Sequence, residues 1–251
     1  MRFFVFLCCL LLAANTSAEV RSTARFEAVI PTAEQEAAYI WRTLRDIPFF
    51  EQNGYNVALP SGEVIVTLKN KARAGSLDDD DYVTLQTFLQ TEVYRDEDYL
   101  KGYEKISDIL PSLEKMVSVL EAQNYEWGFR VYDHYPILLT LYGPGGSYDP
   151  DSGTITMLTN TQGGFRQYSN PLNTLIHEVV HIGIEASVVR RLSVPHGQKE
   201  RLVDTFVKLH FAEALPDYRV QQMGDPEIDE AFSELESLRW LPEIMSDFLE
   251  R

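Results

Sequence analysis

From Leu175 to Ile184 every residue is apolar or glycine except His177, Glu178 and His181. A stretch that is apolar all round reads as a helix buried on every side. Placing two imidazoles and a carboxyl inside such a helix is costly unless each finds a partner. Any fold of this chain must therefore supply compensation at one particular spot.

The spacing indicates what that compensation is. Residues four apart on a helix lie one turn above each other on one face. His177 and His181 can thus offer two ring nitrogens to a single metal ion. Glu178 is rotated around the helix, so it can reach a water activated there without being a ligand. This H-E-x-x-H pattern suits a zinc hydrolase with an open coordination position and a carboxylate general base. The plainer alternative, two core histidines hydrogen-bonded to backbone, leaves three buried polar groups in need of partners. Asn170 suits the N-cap and Pro171 the first helical position, and the helix is expected to run to about Arg191, before Pro195.

A hydrolytic zinc usually takes three protein ligands. Glu185 continues the four-residue spacing, but its Cα would sit roughly 12 Å along the axis from that of His177. It reaches the metal only if the helix breaks, for example at Gly183. Glu200 has a better context. Residues 195–215 read as a second helix, with Arg201, Thr205, Lys208 and Ala212 on a polar-leaning face and Glu200, Val203, Asp204, Val207 and Phe211 on the opposite one. Two inward acids four apart make sense as a ligand, Glu200, and a supporting carboxylate, Asp204, that accepts the free ring N–H of a ligand histidine. Their other reading is a charge pair favoured by the helix dipole.

H-E-x-x-H at 177–181 followed by E-x-x-x-D at 200–204 resembles the gluzincin, or thermolysin-like, zinc metallopeptidases. The resemblance covers roughly residues 140–215, about a third of the chain. The metzincin extension fails, since it requires glycine at 184 and histidine at 187, where this chain has Ile184 and Ser187. The resemblance implies a peptidase with Zn2+ on His177, His181 and Glu200, Glu178 as base and Asp204 behind the first histidine. It also implies a peptide or protein substrate laid along an edge strand, for which Gly153–Asn160 is the candidate beside an ordinary internal strand. A Tyr or His stabilising the oxyanion is implied as well. His210, Tyr218, Arg219, His196, Tyr148 and Tyr168 remain open for that role.

Arg2, the apolar run Phe3–Ala14 and the small residues Thr16-Ser17-Ala18 read as a secretory signal peptide over 1–18, too short to span a bilayer. Cys8 and Cys9 both lie in it, so the mature chain is expected to be free of disulfides; Phe6 and Cys8 ahead of Cys9 make a poor lipoprotein signal. The expected destination is the periplasm, or else secretion, with no membrane insertion after cleavage. A net charge of −16 argues against nucleic acid and anionic membranes as partners. Asp78–Asp81 reads as a helix N-terminus or solvated face before a calcium loop, and 149–153 as a turn.

The fold class expected is α+β and mostly helical, with a small mixed sheet above the H-E-x-x-H helix in a zincin-like catalytic part. A helical N-terminal region is expected over 19–125 and the catalytic region over 126–251. Within these, 32–48 reads as helix, Val64–Leu68 as a short strand, and 82–123 as two or three helices interrupted near Pro111. Phe129–Tyr132, Ile137–Tyr142 and Thr154–Leu158 read as strands, and Asp229–Leu249 as helical. The rival to an enzyme is a non-catalytic or latent zinc-containing exported binding module on a peptidase-like fold.

Overall fold

A computed structural model describes residues 24–166 and 170–251; the expected signal segment, its two cysteines and Tyr168 lie outside them. The protein is α+β, mostly helical, with one mixed sheet of four strands in the order β1-β2-β4-β3. β1 (Arg25–Val29) pairs in parallel with β2 (His134–Thr140), β2 in parallel with β4 (Thr154–Leu158), and β3 (Ser147–Asp149) antiparallel with β4. Period-two alternation gives the sheet one apolar face, with Phe26, Ala28, Tyr135, Ile137, Leu139, Ile155 and Met157 buried. Each of the larger ones contributes about 1.5–3 kcal/mol on burial. Against that face pack α5 (Leu100–Gln123), through Ile106, Leu113 and Val117, and α6 (Leu172–Ile184), which carries His177, Glu178 and His181.

A second, smaller core lies among α1 (Ala33–Arg45), α2 (Ile47–Gln52), α3 (Glu63–Ala74) and α4 (Asp79–Phe88), joining Ile40, Leu44, Ile47, Ile65, Leu68 and Leu85. Buried Glu36 ties this layer to the sheet. Its Oε1 accepts from the Tyr99 hydroxyl (2.8 Å), Thr140 Oγ1 (3.0 Å) and the Leu141 N–H (3.1 Å). Burial raises the Glu36 pKa against the pull of these donors. The acidic run starts α4: Asp78 accepts the Asp81 N–H (3.0 Å) and Asp81 accepts the Asp78 N–H (3.1 Å), a capping box.

Several expectations of local structure give way to tertiary context. Val64–Leu68 is not a strand but the start of α3, because Ile65, Leu68 and Ala72 bury at helical spacing. α5 runs unbroken through Pro111, which is exposed, although the proline removes the N–H that would pair with the carbonyl one turn earlier. β1 was not anticipated, although its five residues alternate in the required way. The edge beside β4 is β3, and β4 within Gly153–Asn160 is internal, since the 149–153 turn folds β3 back outside β4. There Asp149 Oδ1 accepts the Asp151 N–H (3.0 Å), Asp149 Oδ2 accepts from Ser152 (2.8 Å), and Gly153 supplies a φ of 74°.

Phe129–Tyr132 joins no sheet. Its backbone serves the end of α6 instead, the Arg130 N–H donating to the Gly183 carbonyl (2.9 Å), while the Phe129 ring stacks on Phe206 (5.5 Å, 16°). α6 does not break at Gly183 but widens into a π-helical turn, Glu185–Arg190. A Cβ at Gly183 would overlap the Phe129 ring. Alanine for glycine inside a helix normally stabilises by about 0.5–1 kcal/mol. Here the sign should reverse: Gly183→Ala is expected to destabilise by about 1–3 kcal/mol, as overpacked cores do. Denaturant unfolding checks this, and a gain in stability would show that the ring yields freely.

Candidate metal centre

α6 begins at Leu172, whose N–H donates to Asn170 Oδ1 (3.0 Å); Pro171, expected at the first helical position, stands at the N-cap, one place later in the chain than the Asn170 cap that was expected. Its next three turns are buried throughout, including His177, Glu178 and His181. After the π-helical turn, Ser193 at a φ of 53° reverses the chain into α7 (His196–Phe211). α7 packs on α6 with Glu200, Val203, Asp204, Val207 and Phe211 all buried, the face anticipated for it. Thr205, expected on the polar side, is buried too, because it donates to Asp229 (2.7 Å).

Three atoms converge between these helices. His177 Nε2 and His181 Nε2 are 3.0 Å apart, His181 Nε2 and Glu200 Oε2 3.2 Å, and His177 Nε2 and Glu200 Oε2 3.4 Å. Ligand atoms at the corners of a tetrahedron with bonds of about 2.0–2.1 Å stand about 3.3 Å from one another. The donor set and the triangle therefore fit a metal ion, and this buried His/His/Glu group could hold one. The Glu200 carboxyl lies well below the usual range, since burial, which would raise it, is outweighed by the two imidazoles.

The ring of His177 is fixed from behind. The hydroxyl of Tyr218 donates to Asp204 Oδ1 (2.6 Å) and lies 2.7 Å from His177 Nδ1, while Asp204 Oδ1 itself is 3.3 Å from that nitrogen. With its proton committed to Asp204, the Tyr218 oxygen accepts from Nδ1–H, which leaves the Nε2 lone pair facing the other two ligand atoms. Asp204 therefore acts on His177 largely through Tyr218. His181 is held differently: its Nδ1 is buried without a hydrogen-bond partner among the described residues, and its ring lies parallel to that of Tyr148 (4.7 Å, 9°).

Glu178 faces the same centre and, among the described residues, has no hydrogen-bond partner. Burial, opposed by nearby His177, pushes its carboxyl up to about 7. The backbone at Gly146 passes so close that a Cβ there would stand 2.7 Å from Glu178 Oε1. Glu185, the rival third ligand, lies apart from the triangle. Its Oε2 accepts from the Tyr148 hydroxyl (3.0 Å) and its Oε1 is 3.4 Å from Arg190 Nε.

A cleft of about 410 Å³ opens onto His177, Glu178, His181 and Glu200. One side is Gly146 and the start of β3, Ser147 and Tyr148; the other is built by α1 and α2 of the N-terminal layer, through Tyr39, Arg42, Phe49 and Phe50, with Tyr55 and His196. The rings of Phe49, Phe50, Tyr55 and His196 form one shelf, with neighbouring centroids 5.6–6.4 Å apart. Among the oxyanion candidates, Tyr148 and His196 line this cleft. His210 is bonded to Tyr125 (2.8 Å) and to the Phe206 carbonyl (2.9 Å), and Tyr218 stands behind His177.

Three residues of the centre escaped sequence reading. Lys199, next to Glu200, donates to the Tyr148 hydroxyl (3.1 Å). Gln221 sends its backbone N–H to Asp204 Oδ2 (2.6 Å) and its side-chain amide to Glu200 Oε2 (3.2 Å). Tyr218 was considered for the oxyanion and not for a place behind His177. Only proximity to the E-x-x-x-D motif signals Lys199, and nothing in the loop signals Gln221. Compared with known proteins, the chain matches no family model, no curated sequence and no solved structure.

Proposed function

We propose that the protein is an exported, zinc-dependent peptidase of the gluzincin type. The observation that carries the reading is the 3.0–3.4 Å triangle of His177, His181 and Glu200 atoms, with the carboxylate of Glu178, which has no hydrogen-bond partner among the described residues, facing the same cleft. When bound, zinc lowers the pKa of a water and polarises the scissile carbonyl. Glu178 takes the proton of that water as its oxygen adds to the carbonyl carbon, then passes the proton to the amide nitrogen as the C–N bond breaks. Lys199, steadied by Tyr148, brings positive charge to the wall of the cleft. β3, paired on one side only, offers backbone N–H and C=O groups to an extended peptide, and the aromatic shelf opposite suits an apolar side chain. A cleft that reaches the ligand atoms supports this reading over a metal-stabilised binding module.

Two measurements test it. Glu178→Gln should keep the fold and the metal while lowering hydrolysis of a mixed peptide library by at least about 100-fold, as loss of a general base does; undiminished hydrolysis would assign the activity elsewhere. In zinc titrations, Glu200→Ala should bind far more weakly than the parent. Tyr218→Phe should lose about 10-fold or more, as outer partners of ligand histidines do, and Glu185→Ala should bind nearly as the parent does. Zinc lost with Glu185→Ala and kept with Glu200→Ala would overturn the ligand assignment.

A further inference from the structure

The side-chain amide of Gln221 stands beside two of the three converging atoms. Its Nε2 is 3.2 Å from Glu200 Oε2 and 3.4 Å from His177 Nε2, the same separations that the three ligand atoms keep among themselves. It belongs to the loop between α7 and α8 (Glu227–Ala231) and reaches this place because Asp204 holds the loop at two points. Asp204 Oδ1 accepts from the Tyr218 hydroxyl and Oδ2 from the Gln221 backbone N–H, each at 2.6 Å. The side chain then turns back into the cleft, of which it is a lining group.

We propose that Gln221 is a fourth protein ligand, a neutral amide that a water or substrate must displace before the centre can react. The proposal rests on the zinc reading above. Facing two lone-pair atoms, the amide presents its NH2 group as a donor. Facing a cation, it presents Oε1 instead, which needs only a half-turn of the amide about its Cγ–Cδ bond. A structural zinc site is closed by four protein ligands, whereas a hydrolytic one keeps a position open. The amide therefore gives this centre a closed form. The open form arises when the side chain swings out while the backbone N–H stays on Asp204. No bond to carbon is made or broken, and the competitor is part of the chain itself.

The test uses the full mature protein, zinc and inorganic phosphate as a simple anionic probe of the open position. Gln221→Ala and Gln221→Glu both keep the backbone N–H that Asp204 accepts, so neither removes the anchor of the loop. Gln221→Ala should bind zinc at least about 10-fold more weakly, and its zinc-loaded form should bind phosphate more tightly than the parent does. Gln221→Glu, with a charged oxygen at the same reach, should shift both affinities the other way. Any pattern other than these opposed shifts overturns the proposal. Unchanged affinities would mean that the amide never meets the ion, and joint weakening in Gln221→Ala would mean that the loop has merely loosened. A parent protein that binds no zinc would overturn the zinc reading itself and this proposal with it; zinc bound normally by the parent and by both variants would overturn only the role of Gln221.

Discussion

Asp204 is fully buried, yet its two carboxylate oxygens accept at 2.6 Å from the Tyr218 hydroxyl and the Gln221 backbone N–H. A carboxylate removed from water has to be satisfied by donors brought to it, and bonds to a charged acceptor are among the strongest that a protein makes. One side chain on α7 thereby fixes the loop that follows α7, the hydroxyl behind His177 and the amide beside Glu200. The convergence of His177, His181 and Glu200 depends on that anchor as much as on the packing of α6 against α7. Without it, His177 would have no defined tautomer and the loop no reason to return to the cleft.

The two histidines are held in unlike ways. His177 is oriented by a directional hydrogen bond, whereas His181 has a ring stacked on Tyr148 and a buried Nδ1 with nothing to bond among the described residues. Tyr148 is in turn bonded to Glu185 and Lys199, groups at the start of the π-helical turn and beside Glu200. Widening α6 after Ile184 thus has a use: it turns Glu185 toward Tyr148. The carboxylate that sequence spacing offered as a ligand becomes the brace of the ring that packs on one.

Where a residue's place follows from local periodicity, sequence was enough to locate it. H-E-x-x-H on an apolar helix and the inward face of Glu200, Val203, Asp204, Val207 and Phe211 both follow from the helical repeat. What was not legible is decided by partners distant in the chain. β1 is short and needs β2 to become a strand; Phe129–Tyr132 has strand-like residues but spends its backbone on the Gly183 carbonyl. Val64 to Thr67 are all β-branched, yet the core beneath α3 rewards helical spacing. Gln221 lies in a loop whose composition is unremarkable, and only Asp204 determines where its amide ends up.

β1 also sets the order in which the chain can mature. Arg25 pairs with His134 and Val29 with Leu138, so the earliest strand made has no partner until the second half of the chain is available. Long-range pairings of this kind form late, because the entropy of closing the intervening loop comes before any contact repays it. The triangle of candidate ligand atoms lies later still, its last corner at Glu200, and the groups around it at Tyr218 and Gln221 follow that. The candidate metal centre can therefore assemble only once the chain has been made through the loop that follows α7.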